Sequence, residues 1–78
     1  MANKNNLKYH RIIKGYTQDG LADLVGSSQS YIANIESGAR NPGPKLLLRF
    51  TQVLEVPAVE LFPYLANKLV TAQMAVAS

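Results

Sequence analysis

At 78 residues the chain is long enough for one small domain and too short for two. It has no Cys, a single His and five acidic residues, which excludes disulfides and thiolate metal sites and leaves little for a metal cage. The net charge of +3 is uneven: residues 1–49 hold seven basic and three acidic side chains, and residues 50–78 hold one Lys and two Glu. That distribution permits a polyanion partner without requiring one.

Glycine and proline cut the chain into short segments with helical, not alternating, patterns. Helix 1 is expected over 5–14, with Leu7, His10, Arg11 and Lys14 on one face and Gly15 closing it. Helix 2 is expected over 18–25, capped by Thr17, with Asp19 in its first turn and Leu21, Ala22 and Val25 inward. Gly20 is its weak point, costing up to ~1 kcal/mol against Ala. Gly26 then stops the helix. Ser28 caps helix 3, expected over 29–37, with Ile32 and Ile35 inward and Gly38 at its end. Pro44 suits the first turn of helix 4, expected to reach Leu54 with Leu47, Leu48, Phe50, Thr51 and Leu54 available to the core. Pro57 opens helix 5, expected over 58–62.

The last third is unusually apolar. Leu61, Leu65 and Leu69 repeat at four, and Phe62, Ala66 and Val70 form the neighbouring stripe. Pro63 should interrupt this segment, leaving a second helix over about 63–73. A core of this size is already supplied, so one stripe is expected to meet a second copy of the chain. Val59, Leu61, Leu65 and Leu69 are the expected dimer interface. The chain thus divides into a domain over 1–62 and a helical extension over 63–78. Residues 1–6 are too polar for a signal peptide and no apolar run is long enough for a membrane span, so a cytoplasmic protein without a membrane partner is expected.

The informative span is 17–38, TQDGLADLVGSSQSYIANIESG. Two short helices around a Gly turn form a helix-turn-helix. Ala22 is small where helix 3 crosses, and Gly26 can take the left-handed conformation of a short turn. The solvent side of helix 3 is Gln29, Ser30, Ala33, Asn34 and Ser37, which suits a groove of base edges better than open water. No Arg or Lys lies on this helix, so guanine readout by a bidentate Arg is not expected, whereas the amides of Gln29 and Asn34 suit adenine.

With L-x-x-x-R at Leu7 and Arg11, G-x-T-Q at 15–18, L-A-x-x-x-G at 21–26, Y-I-x-x-I-E-x-G at 31–38, N-P at Asn41 and Pro42, and E-L-F at 60–62, the chain resembles the phage-repressor and Cro-like family of helix-turn-helix regulators. The resemblance covers about residues 7–62. It implies an all-α, five-helix, lambda-repressor-like domain with helix 3 in the major groove of double-stranded DNA. By the same resemblance, Gln29, Ser30 and Asn34 stand at base-contacting positions. Thr17, Gln18, Ser28, Arg40 and Asn41 stand at backbone-contacting ones, with Gln18 clamping a phosphate at a helix end. Arg11 and Glu36 stand where many members form a structural ion pair. Ser27, His10, Gly20, Leu24, Pro44 and Glu55 depart from the family pattern.

His10 is more naturally a packed residue than a ligand, and Arg11 with Glu36 more naturally an ion pair than an acid–base couple. Tyr31 suits the rim of the core as well as DNA. No enzymatic motif occurs, so no catalysis, cofactor, metal or small-molecule effector is expected. The expected activity is that of a homodimeric transcriptional regulator, a repressor reading a near-palindrome. The alternative is the same fold used as a protein-binding module, an antitoxin or adaptor gripping its partner with the apolar C-terminal helix.

Overall fold

The computed structural model describes residues 5–66. Five helices follow one another: α1 (Leu7–Ile13), α2 (Gln18–Val25), α3 (Gln29–Glu36), α4 (Pro44–Leu54) and α5 (Ala58–Leu61). Residues 64–66 begin a further helical turn beyond Pro63. No strand occurs among the described residues. The expected extension over 63–73 and the stripe positions Leu69 and Val70 lie partly or wholly outside them.

α1 starts at Leu7 and not at residue 5, because the two asparagines before it are occupied elsewhere. Asn5 Oδ1 accepts from Leu7 N over 3.1 Å, which holds the chain in a turn. Asn5 Nδ2 donates to Ile35 O at the end of α3, while Asn6 N donates to Leu61 O and Asn6 Nδ2 to Glu60 O. Two adjacent residues thus stitch the head of α1 to α3 and α5.

Ten apolar residues form the core: Leu7, Leu21, Ala22, Val25, Ile32, Ile35, Phe50, Leu54, Leu61 and Phe62. α2 packs on α3 and α4, α4 on α5, and α1 on α3. The rings of Phe50 and Phe62 meet with centroids 6.2 Å apart. On α4 the inward stripe is Leu47, Phe50 and Leu54. Leu48 is 57% exposed, contrary to the sequence expectation, because a turn of about 100° per residue carries it off that stripe. Thr51 is half-buried and its hydroxyl donates to Leu48 O over 2.6 Å.

The expected dimer stripe needs a second correction. Leu61 is fully buried within its own chain. The short α5 turns it down between α4 and the head of α1, where it fills the core and presents no side chain to a partner. Val59 and Leu65 remain half-buried. Leu65 packs at the edge of the core, and Val59 lines a shallow hollow with Tyr9, His10 and Pro63.

Beyond α4 the backbone turns through Glu55, whose φ of 57° is left-handed although it is not glycine. Its carboxylate pairs with Lys14 at the end of α1. The bond from Lys14 holds the Glu55 carboxyl below its ordinary range, and the bond to Glu55 raises the Lys14 ammonium above its own.

Candidate nucleic-acid interface

Three local bonds and one distant one shape α2, α3 and the turn between them. Thr17 Oγ1 accepts from Gly20 N over 2.9 Å at the head of α2, and Ser28 Oγ accepts from Tyr31 N over 3.2 Å at the head of α3. At the tail of α2 Gly26 lies at φ 72°, and Ser27 N reaches back to Ala22 O over 2.8 Å. The distant bond comes from α4. Arg49 Nη1 donates to Val25 O over 3.2 Å, satisfying a carbonyl the helix end leaves open. A Cβ at residue 26 would lie 2.8 Å from that nitrogen and displace the guanidinium, and the left-handed turn itself favours glycine. Gly20 also has a reason: its Cβ would press on the capping Thr17 Oγ1 at 3.1 Å.

At the far end of α3 from the turn sits the most buried charge pair among the described residues. Arg11 Nε donates to Glu36 Oε2 over 2.6 Å and Nη2 to Glu36 Oε1 over 3.3 Å, with side chains 10% and 5% exposed. Arg11 Nη1 is used as well, donating to Tyr16 O over 2.8 Å. One guanidinium therefore ties α1 to the end of α3 and to the loop ahead of α2. Such a buried pair is costly to desolvate, and it is tolerated here because its remaining polar atoms find partners.

The pair extends outward. Gln18 Nε2 donates to Glu36 Oε1 over 3.0 Å, and Gln29 Nε2 donates to Gln18 Oε1 over 2.6 Å. Gln29, the first residue of α3, is exposed and stands at the end of this chain of bonds. Ser30 and Asn34 are exposed on the same helix. Asn34 O accepts from Ala39 N, Arg40 N and Ser37 Oγ, which folds the loop after α3 back on its helix. Arg40 and Asn41 are exposed in that loop. Thr17 and Ser28 each use one lone pair as a cap, which leaves the hydroxyl proton to donate to an acceptor such as a phosphate oxygen. Lys45 and Arg49 border an open hollow beside Gly26 and Tyr31.

Of the residues singled out from the sequence, Arg11, Glu36, Gln18 and Gln29 are brought together by hydrogen bonds, while Ser30 and Asn34 on α3 and Arg40 and Asn41 in the loop after it are exposed. The bond from Arg49 to the end of α2 and the Asn5–Asn6 pair were missed. Arg49 gave no local signal, since its partner is 24 positions away. Two consecutive asparagines before a helix did carry a capping signal.

A family model described as helix-turn-helix matches residues 7–61. The chain belongs to the phage-repressor and Cro-like helix-turn-helix family. Three regulators are similar in sequence. The HTH-type transcriptional regulator MJ0272 of Methanocaldococcus jannaschii is 36% identical over 61 residues, covering 78% of this chain and 92% of the relative. YazB of Bacillus subtilis is 39% identical over 57 residues, covering 73% and 83%. The regulator y4dJ of Sinorhizobium fredii is 42% identical over 48 residues, covering 62% of each. Among solved structures, the restriction-modification controller protein C.AhdI of Aeromonas hydrophila superposes with a TM-score of 0.66 at 35% identity, covering 73% of this chain and 86% of that one. The DNA-binding domain of SinR from Bacillus subtilis gives 0.63 at 33%, covering 68% and 78%. The family assigns the geometry above: this is a DNA-binding domain of a transcriptional regulator, with α2 and α3 as its helix-turn-helix. No helix among the described residues is long and apolar enough to cross a membrane.

Proposed function

We propose that the chain is a cytoplasmic, homodimeric repressor that reads a near-palindromic operator with α3 in the major groove. The observation that carries this reading is the exposed edge of α3, where Gln29 is held ready by Gln18 beside Ser30 and Asn34. Those side chains contact base edges. Thr17, Gln18, Ser28, Arg40 and Asn41 contact the sugar-phosphate backbone, which fixes register without reading sequence. α3 has only eight residues and spans few base pairs. Two copies about 34 Å apart, or a multiple of that, supply the length of site a regulator needs. The domain over 1–62 carries the DNA face, and the segment over 63–78 together with Val59 carries the dimer contact. Leu65 and Leu69 are central to it. The likeness to a restriction-modification controller supports a role in controlling a promoter.

Selection from random duplexes at two salt concentrations tests the reading. A palindromic consensus should emerge, and affinity should fall steeply as salt rises because counterions are released. Gln29→Ala should cost roughly 1–3 kcal/mol at the selected site and much less on random DNA. Binding that ignores salt and yields no consensus would favour the protein-binding alternative, and sedimentation as a monomer both free and on operator would remove the dimer.

A further inference from the structure

Glu36 closes a chain of side chains that ends at the reading position. Its carboxylate is 5% exposed, and an ionised carboxylate only accepts hydrogen bonds. Oε2 takes Arg11 Nε, and Oε1 takes both Arg11 Nη2 and Gln18 Nε2. Gln18 therefore has no freedom of sense: its amide nitrogen faces Glu36 and its Oε1 faces outward. Gln29 Nε2 donates to that outward oxygen over 2.6 Å.

A primary amide carries two N–H donors and one acceptor oxygen. With one N–H given to Gln18, Gln29 keeps one donor and one acceptor for a base edge. That combination matches adenine, whose major-groove face offers the N7 acceptor and the N6 donor. Guanine offers two acceptors, N7 and O6. An amide with both N–H groups free could meet those two acceptors. Committing one of them to Gln18 decides between the purines.

We infer that Glu36, acting through Gln18, is a positioning residue that sets the adenine preference of Gln29. The inference rests on the reading of α3 as the base-contacting helix. It concerns discrimination between purines, not the strength of docking, and it gives a buried acid on the far side of the motif a part in sequence choice.

The test uses the full chain, the selected operator, and the same operator with single base pairs exchanged, all at one salt concentration. Gln29→Ala locates the pair under Gln29 as the position where discrimination is lost. Gln18→Met keeps the size of the side chain and leaves the Arg11–Glu36 pair in place. It should lower the adenine-over-guanine ratio at that pair roughly fivefold or more, the lower end of what one bidentate contact supplies. Where Gln18 also holds a phosphate, its replacement weakens both duplexes alike and cancels in the ratio. Glu36→Gln should lower the ratio too, because an amide at residue 36 accepts either sense of Gln18. A purely structural Glu36 would reduce affinity for both duplexes equally and leave the ratio unchanged. A wild-type ratio in Gln18→Met overturns the inference even if Glu36→Gln fails to fold. If Gln29→Ala alters the preference at no position, the base-reading role itself fails and the inference falls with it.

Discussion

Replacing Arg11 with Met tests how the buried pair sustains the fold. The substitution keeps much of the side-chain volume and removes three hydrogen bonds, two to Glu36 and one to Tyr16 O. Glu36, with its side chain 5% exposed, then keeps only Gln18 Nε2 as a charge-stabilising donor. Breaking one side of a buried pair costs about 3–5 kcal/mol, because the charge left behind stays out of water. A 78-residue domain has a total stability of about 4–12 kcal/mol at ~0.05–0.15 kcal/mol per residue. Arg11→Met should therefore remove between about a quarter and all of that stability. Arg11→Met combined with Glu36→Leu removes both charges and should recover most of the loss, since an apolar pair of similar volume needs no compensation. Urea titration followed by far-UV circular dichroism, with equal m-values as the check on two-state behaviour, measures all three proteins. A single variant costing less than about 1 kcal/mol, or a double variant no more stable than Arg11→Met alone, would refute this account of the pair.

Gly26→Ala should lower stability by at least ~1 kcal/mol, because the left-handed backbone disfavours a Cβ and Arg49 Nη1 lies 2.8 Å from where that atom would sit; a wild-type melting curve would contradict this. Leu61→Ala should cost about 2–5 kcal/mol as a core truncation; an unchanged melting temperature with a changed oligomeric state would return Leu61 to the interface. The Lys14–Glu55 pair should add stability across a defined pH window. The lowered Glu55 carboxyl contributes above its unfolded range and is lost as acid protonates it; the raised Lys14 contributes below the unfolded lysine range and is lost as base deprotonates it. Glu55→Gln should flatten both edges of that window, and a pH–stability profile identical to wild type would show the pair to be inert.

Much of the fold was legible because each helix carries local punctuation. Thr17, Ser28 and Pro44 mark helix starts, and Gly26 marks a stop, so α2 and α4 fall at the expected residues. α3 ends one residue earlier than expected, and α1 starts later because Asn5 spends its side chain on Leu7 N and Ile35 O. What failed was the side of a helix facing inward where apolar residues run together. On Leu46-Leu47-Leu48 hydrophobicity cannot tell inside from outside; only packing against α2 and α5 does. The same ambiguity assigned Leu61 to a partner, when the brevity of α5 turns it into the core. Family likeness marked Arg11 with Glu36 as a pair and Gln18 and Gln29 separately, but the bonds that join Gln18 to Glu36 and Gln29 to Gln18 depend on distances no sequence displays.

α3 would not be helical by itself, since eight residues fall short of the length at which an isolated helix persists in water. It is held at its C-terminal end by Asn5 and Arg11, and the turn ahead of it is pinned by Arg49 through Val25 O. Its shape is therefore borrowed from three parts of the chain far away in sequence. A domain built this way meets its ligand already ordered and gives up little conformational entropy in α3 on association. Complex formation should then carry the modest heat-capacity change of a rigid body docking, not the large one of a segment that folds as it binds.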